Sequence, residues 1–145
     1  MKKTAIIMTF VAIFVTTSCS SLIGVSDSAA ATSGSACARA LISLRASQKA
    51  GTLSIANATD LTNILTVISS YNMLKSNKEN ANFKKSFTTG MVSGGSGIIT
   101  NNNAATLVNL LLAANGLNNL NSNNVTNNNG SAATGALVPI LTTLP

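Results

Sequence analysis

The chain has 145 residues and a net charge of +6; it is 46% hydrophobic but only 8% charged and 3% aromatic, and it lacks Trp and His altogether. That length holds one domain at most. Without His, and with acids only at Asp27, Asp60 and Glu79, the chain has no set of groups for ordinary acid–base catalysis or a metal centre, so neither an enzyme nor a metal or other cofactor is expected.

The N-terminus reads first. Lys2 and Lys3 precede an uncharged, mostly apolar run from Ala5 to Val15. A membrane-spanning helix needs about 20 such residues, whereas the apolar centre of a secretory signal needs roughly 7 to 15. Residues 1–18 are therefore expected to be a signal peptide, and no later run is long enough to span a bilayer. Removing it leaves seven basic residues, Arg39, Arg45, Lys49, Lys75, Lys78, Lys84 and Lys85, on a chain outside the cytoplasm. Nucleic acid is not an expected partner there, because the aromatic residues that stack on bases are nearly absent.

Directly after the apolar run comes Thr16-Thr17-Ser18-Cys19. This resembles the lipobox of bacterial lipoproteins, with Thr16 standing where that family usually has Leu. The resemblance implies that Cys19 carries a diacylglyceryl thioether, that a dedicated peptidase cuts before it, and that the new amino terminus is acylated. Two or more acyl chains hold a protein stably on a leaflet. Ser20 is not the Asp of an inner-membrane retention signal, so the resemblance points to the outer membrane, on either face. Two other fates stay open: a conventional cut after Ala29-Ala30-Ala31, and a Cys19–Cys37 disulfide, which an exported chain can form.

Residues 19–35 are small and polar and read as a flexible lipid-anchored tether. Within it, Asp27-Ser28-Ala29 resembles an O-glycosylation sequon of one Gram-negative phylum, which makes Ser28 a possible glycan site.

Residues 36–117 are expected to form an all-α domain, a small bundle of four helices. The first runs from Ala36 to Ala50, with Cys37, Ala40, Leu41 and Leu44 as its apolar stripe and Gly51 as the residue that stops it. Cys37 fits a small buried hydrophobe. The second opens on Asn57 as a cap and aligns Leu61, Ile64, Leu65, Ile68 and Tyr71 on one face. The third places Phe83, Phe87 and Met91 four residues apart. The fourth carries Leu107, Leu110, Leu111 and Ala114, with Gly116 in the position of a left-handed stop closed by Leu117. Residues 118–145 read as an Asn-rich, low-complexity tail ending in the apolar ALVPILTTLP, where Pro139 limits any helix and which docks on the bundle or stays loose.

Gly90 and Gly95 have the spacing of a phosphate-binding loop, but the Lys that loop needs is absent and a helix, not a strand, precedes it. The glycines fit a helix end, or a Gly90/Gly94 face that admits a second helix closely. The stretch from GSACARALISL to GIIT also resembles envelope lipoproteins of Gram-negative bacteria to which no activity is attached. The expected role is a non-catalytic structural or accessory contact with an envelope protein; the alternative is a helical module binding a lipid or other hydrophobic ligand.

Overall fold

A computed structural model describes residues 27–117, 120, 125 and 130–145. The fold is all-α, with no strand among the described residues. Among the described residues the helices are, in order, α1 (Asp27–Ala50), α2 (Ala58–Ser76), α3 (Ala81–Gly94), α4 (Asn101–Ala113) and α5 (Gly130–Thr142), with a 3₁₀ turn at Asn115–Leu117.

Helix α1 organises the bundle. It packs most extensively along α3, then along α2, and also meets α5. Its start corrects the sequence reading: it begins at Asp27 rather than Ala36, so the second half of the expected tether, including Ala30, Ser33 and Gly34, is packed helix. Ala, Ser and Gly suit a linker, but the same small side chains are what let two helix backbones approach closely. The C-terminus of α1 is as expected. Gly51 takes φ +73°, its N–H donates to the Gln48 carbonyl at 3.1 Å, and the Thr52 N–H donates to the Ser47 carbonyl at 2.9 Å. This pair of bonds is the Schellman closure.

The cap expected at Asn57 is present, its side chain accepting from the Thr59 and Asp60 amides. Ile64, Leu65, Val67, Ile68, Tyr71 and Leu74 of α2 are buried, while Leu61 is only partly so. Asn80 caps α3 by accepting from the Phe83 amide at 3.1 Å. Phe83, Phe87 and Met91 are buried, and the two rings lie 6.2 Å apart. After α3 the chain turns through Ser96 and Gly97, both at positive φ. At the start of α4 the Thr100 N–H donates to Asn103 Oδ1 at 2.6 Å, and Ala104, Leu107, Val108 and Leu111 face the core.

Two features of the C-terminal third differ from expectation. Gly116 is not a left-handed stop: it lies in the 3₁₀ turn, and a Cβ there would meet the Ala136 side chain of α5 at 2.8 Å. The apolar C-terminal stretch is a helix that docks, burying Ala133, Leu137, Ile140 and Leu141, with Leu144 just beyond it. Pro139 sits within α5 and deprives the Gly135 carbonyl of its usual donor. Both residues are exposed, so that carbonyl is lost to the helix on its solvent side and not inside the core. The packed unit thus runs from α1 to Leu144 rather than from 36 to 117.

Candidate interaction surfaces

Cys19 lies outside the described residues. Ser28 is exposed in the first turn of α1, where its carbonyl accepts the Thr32 hydroxyl at 2.9 Å. It borders a shallow groove between α1 and α3 with Asn82, Lys85, Ser86 and Thr89.

Gly90 and Gly94 are buried, and the helix they admit is the chain's own α1. A Cβ on Gly90 would overlap the Ala31 carbonyl, and one on Gly94 would meet the Ser35 carbonyl oxygen at 2.5 Å. From the other side, a Cβ on Gly34 would overlap the Phe87 carbonyl. Gly34, Gly90 and Gly94 therefore bring α1 and α3 into backbone contact along about two turns of α3. The surface that the sequence offers to a partner helix is consumed inside the fold.

Cys37 is wholly buried on α1. Burial pushes its thiol up to about 12, and the Ser70 hydroxyl in hydrogen-bond contact with it pulls only weakly the other way. Ser70 in turn donates to the Ser33 carbonyl at 3.4 Å. A thiol so strongly held as its neutral form is a poor nucleophile.

Asp60 is the feature that the sequence concealed. At a helix start, three residues after an Asn cap, it reads as an exposed acid; in the fold it is 1% exposed. Its Oδ1 accepts the Ser47 hydroxyl at 2.7 Å, and its Oδ2 accepts the Ser54 amide at 3.1 Å. The carboxylate clips the end of α1, the connector and the start of α2 together.

Among the described residues Arg39, Lys49, Lys75, Lys78 and Lys85 are exposed, as is Glu79 on the α2–α3 turn, while Arg45 and Lys84 are half-buried. Glu79 borders an open polar groove with Ser76, Asn77 and Asn80. A third, smaller cleft of about 160 Å³ opens between the C-terminal half of α1, the turn before α4 and the residues after α5. It is mainly apolar, from Ile42, Ala46, Ile98, Leu144 and Pro145, with Arg45 and Lys49 at its rim. Ile98 is 39% exposed there. Arg45 and Lys49 read in the sequence as cations near a helix C-terminus; the spacing of Ile42, Ala46 and Lys49 hints at a shared outer stripe, but nothing local shows that Ile98 and Leu144 complete a cleft.

Among the described residues no three His, Cys, Asp or Glu side chains gather into a metal site, and no helix is long and apolar enough to cross a membrane. No protein-family profile, curated protein sequence or solved structure matches the chain.

Proposed function

We propose that the chain is an outer-membrane lipoprotein, anchored through Cys19, whose helical bundle makes a non-catalytic contact with another protein of the cell envelope. The observation that carries the reading is the order Lys2-Lys3, apolar run, Thr16-Thr17-Ser18-Cys19, followed eight residues later by the start of a packed helix. A peptidase cut before Cys19 leaves every turn of α1 intact. The rival cut after Ala31 would remove the first turn of α1, including Ala30, which is fully buried, and the Ala31 carbonyl that Gly90 packs against. A Cys19–Cys37 bridge would have to reach a sulfur that has no exposed surface.

An anchor at Cys19 also fixes where the bundle works. Seven residues lie between Cys19 and Asp27, a span of at most about 28 Å even fully extended. The first turn of α1 is then held near the leaflet. A contact role fits the chemistry available: Asp60 is occupied by Ser47 and Ser54, Cys37 is buried and neutral, and Glu79 stands alone on its turn.

The test is the intact mass of protein extracted from membranes. A chain beginning at Cys19 with about three acyl groups is expected, and Cys19→Ala should accumulate as uncut precursor. A water-soluble product beginning at Thr32 overturns the anchor. Recovery of a stoichiometric lipid from the purified bundle replaces protein contact with hydrophobic-ligand binding.

A further inference from the structure

We propose that the hairpin from Lys75 to Lys85, where α2 turns into α3, docks on the anionic headgroups of a phospholipid leaflet. It thereby sets which end of the bundle lies on the membrane. The inference rests on the anchor at Cys19 proposed above and adds an orientation to it.

Placement comes first. The Ser47–Asp60 and Ser70–Ser33 hydrogen bonds set α1 and α2 antiparallel, so the end of α2 lies beside the start of α1. Lys85 borders the same groove as Ser28, which puts the start of α3 there too. Hydrogen bonds fix the turn: Asn77 Nδ2 donates to the Met73 carbonyl at 2.8 Å, and the Asn80 N–H donates to the Asn77 carbonyl at 2.9 Å. The lysines therefore stand on a fixed platform.

Charge is concentrated on that platform. From Cys19 onward the chain has seven cations, and Lys75, Lys78, Lys84 and Lys85 bring four of them to this one hairpin. The acids at this end are Glu79 on the turn and Asp27 at the start of α1, which leaves an excess of two positive charges. At the opposite end the cations are Arg45 and Lys49. Arg45 already donates to the Leu144 carbonyl and to Gln48.

The chemistry of the face selects a lipid surface. From Lys75 to Thr89 the one exposed apolar residue is Ala81. A protein interface calls for a larger apolar or aromatic anchor, and a nucleic acid strand for stacking aromatics. Lys84 and Lys85 stand about 100° apart around α3, so they spread charge over a surface and do not converge on one ion. Spread cations without an apolar anchor complement a plane of phosphates.

The size of the effect decides the orientation. Each cation is worth about fivefold in affinity near an anionic leaflet, so an excess of two is worth about 30-fold. The tether from Cys19 lets either end of α1 reach the leaflet, and this preference chooses the end that carries the hairpin.

The test reconstitutes the acylated full-length protein in phosphatidylcholine vesicles and in a two-to-one mixture of phosphatidylcholine and phosphatidylglycerol. Acetylation of each lysine by an active ester is then followed by mass spectrometry. Lys78 and Lys85 should react at least about fivefold more slowly on the mixed vesicles, with Lys49, at the other end of α1, little changed. Lys78 and Lys85 are exposed, so the double variant Lys78→Gln, Lys85→Gln should keep the parental melting temperature. In it the slowing at Lys84 should disappear. With the acyl groups confirmed by intact mass, four results each overturn the docking surface and leave the anchor standing. These are no slowing at Lys78 and Lys85, equal slowing at Lys49, undiminished slowing at Lys84 in the double variant, and slowing reproduced by inorganic phosphate on phosphatidylcholine vesicles. A chain without acyl groups overturns the anchor; its sedimentation with the mixed vesicles alone then upholds the docking surface, and any other partition overturns both.

Discussion

Gly90 of α3 lies against the Ala31 carbonyl of α1 so closely that no side chain fits between them. A small-residue face that could have received another protein instead joins two helices of this one. Gly90→Ala, Gly94→Ala and Gly34→Ala should therefore each destabilise by about 1–3 kcal/mol, the usual cost of overpacking. Gly90→Leu should disrupt the bundle. Gly135 provides the contrast, because a Cβ there meets nothing within 4 Å. Gly135→Ala should stabilise by about 0.5–1 kcal/mol through helix propensity alone. Thermal melts followed by circular dichroism read both signs, and equal effects at Gly90 and Gly135 would refute the close crossing.

Asp60 supports a different joint. Asp60→Ala leaves the Ser47 hydroxyl and the Ser54 amide without their acceptor, and should cost about 2–3 kcal/mol. Ser47→Ala removes one bond and spares the amide, so about 1 kcal/mol is expected. Urea unfolding with an unchanged denaturant slope measures both. A loss at Ser47 as large as that at Asp60 would contradict the clip.

The Cys37 thiol makes a pH prediction. Its folded value is raised by burial from 9.0 to about 12, so the folded state holds this proton where the unfolded state gives it up. The associated stability is fully present below pH 9 and is lost as pH rises from 9 toward 12. Relative to Cys37→Ala, the parent protein should lose about 1.4 kcal/mol for each pH step above that onset. Parallel pH profiles for the two proteins would show that burial does not hold the thiol. A thiol reagent at neutral pH should modify Cys37 only after denaturant is added.

Docking of α5 is tested from both faces. Leu137→Ala and Leu141→Ala, at 1% and 0% exposure, should each cost about 2–5 kcal/mol. Val138→Ala, at 37%, should stay within about 0.5 kcal/mol. Pro139→Ala restores a donor to the Gly135 carbonyl on an exposed surface and should raise stability, by at most about 3 kcal/mol. Uniformly small effects would mean that the segment does not belong to the core.

What the sequence determined by itself was whatever depends on neighbours a few residues away. The cap at Asn57, the stop at Gly51, and the alignment of Phe83, Phe87 and Met91 on one stripe all follow from local hydrogen bonding and helical period. The all-α class follows from the same rules. Tertiary structure decided the rest, because the same residues satisfy two local readings until a partner element arrives. Ala31, Gly34 and Ser35 fit a tether as well as a helix face, and only the glycines of α3 make the helix face the better use of them. Gly116 could end a helix or admit α5, Asp60 could face water or take the Ser47 and Ser54 donors, and Leu137 could dangle or dock. The cleft at Arg45 belongs with these: Ile42, Ile98 and Leu144 are far apart in sequence, and packing alone brings them to one rim.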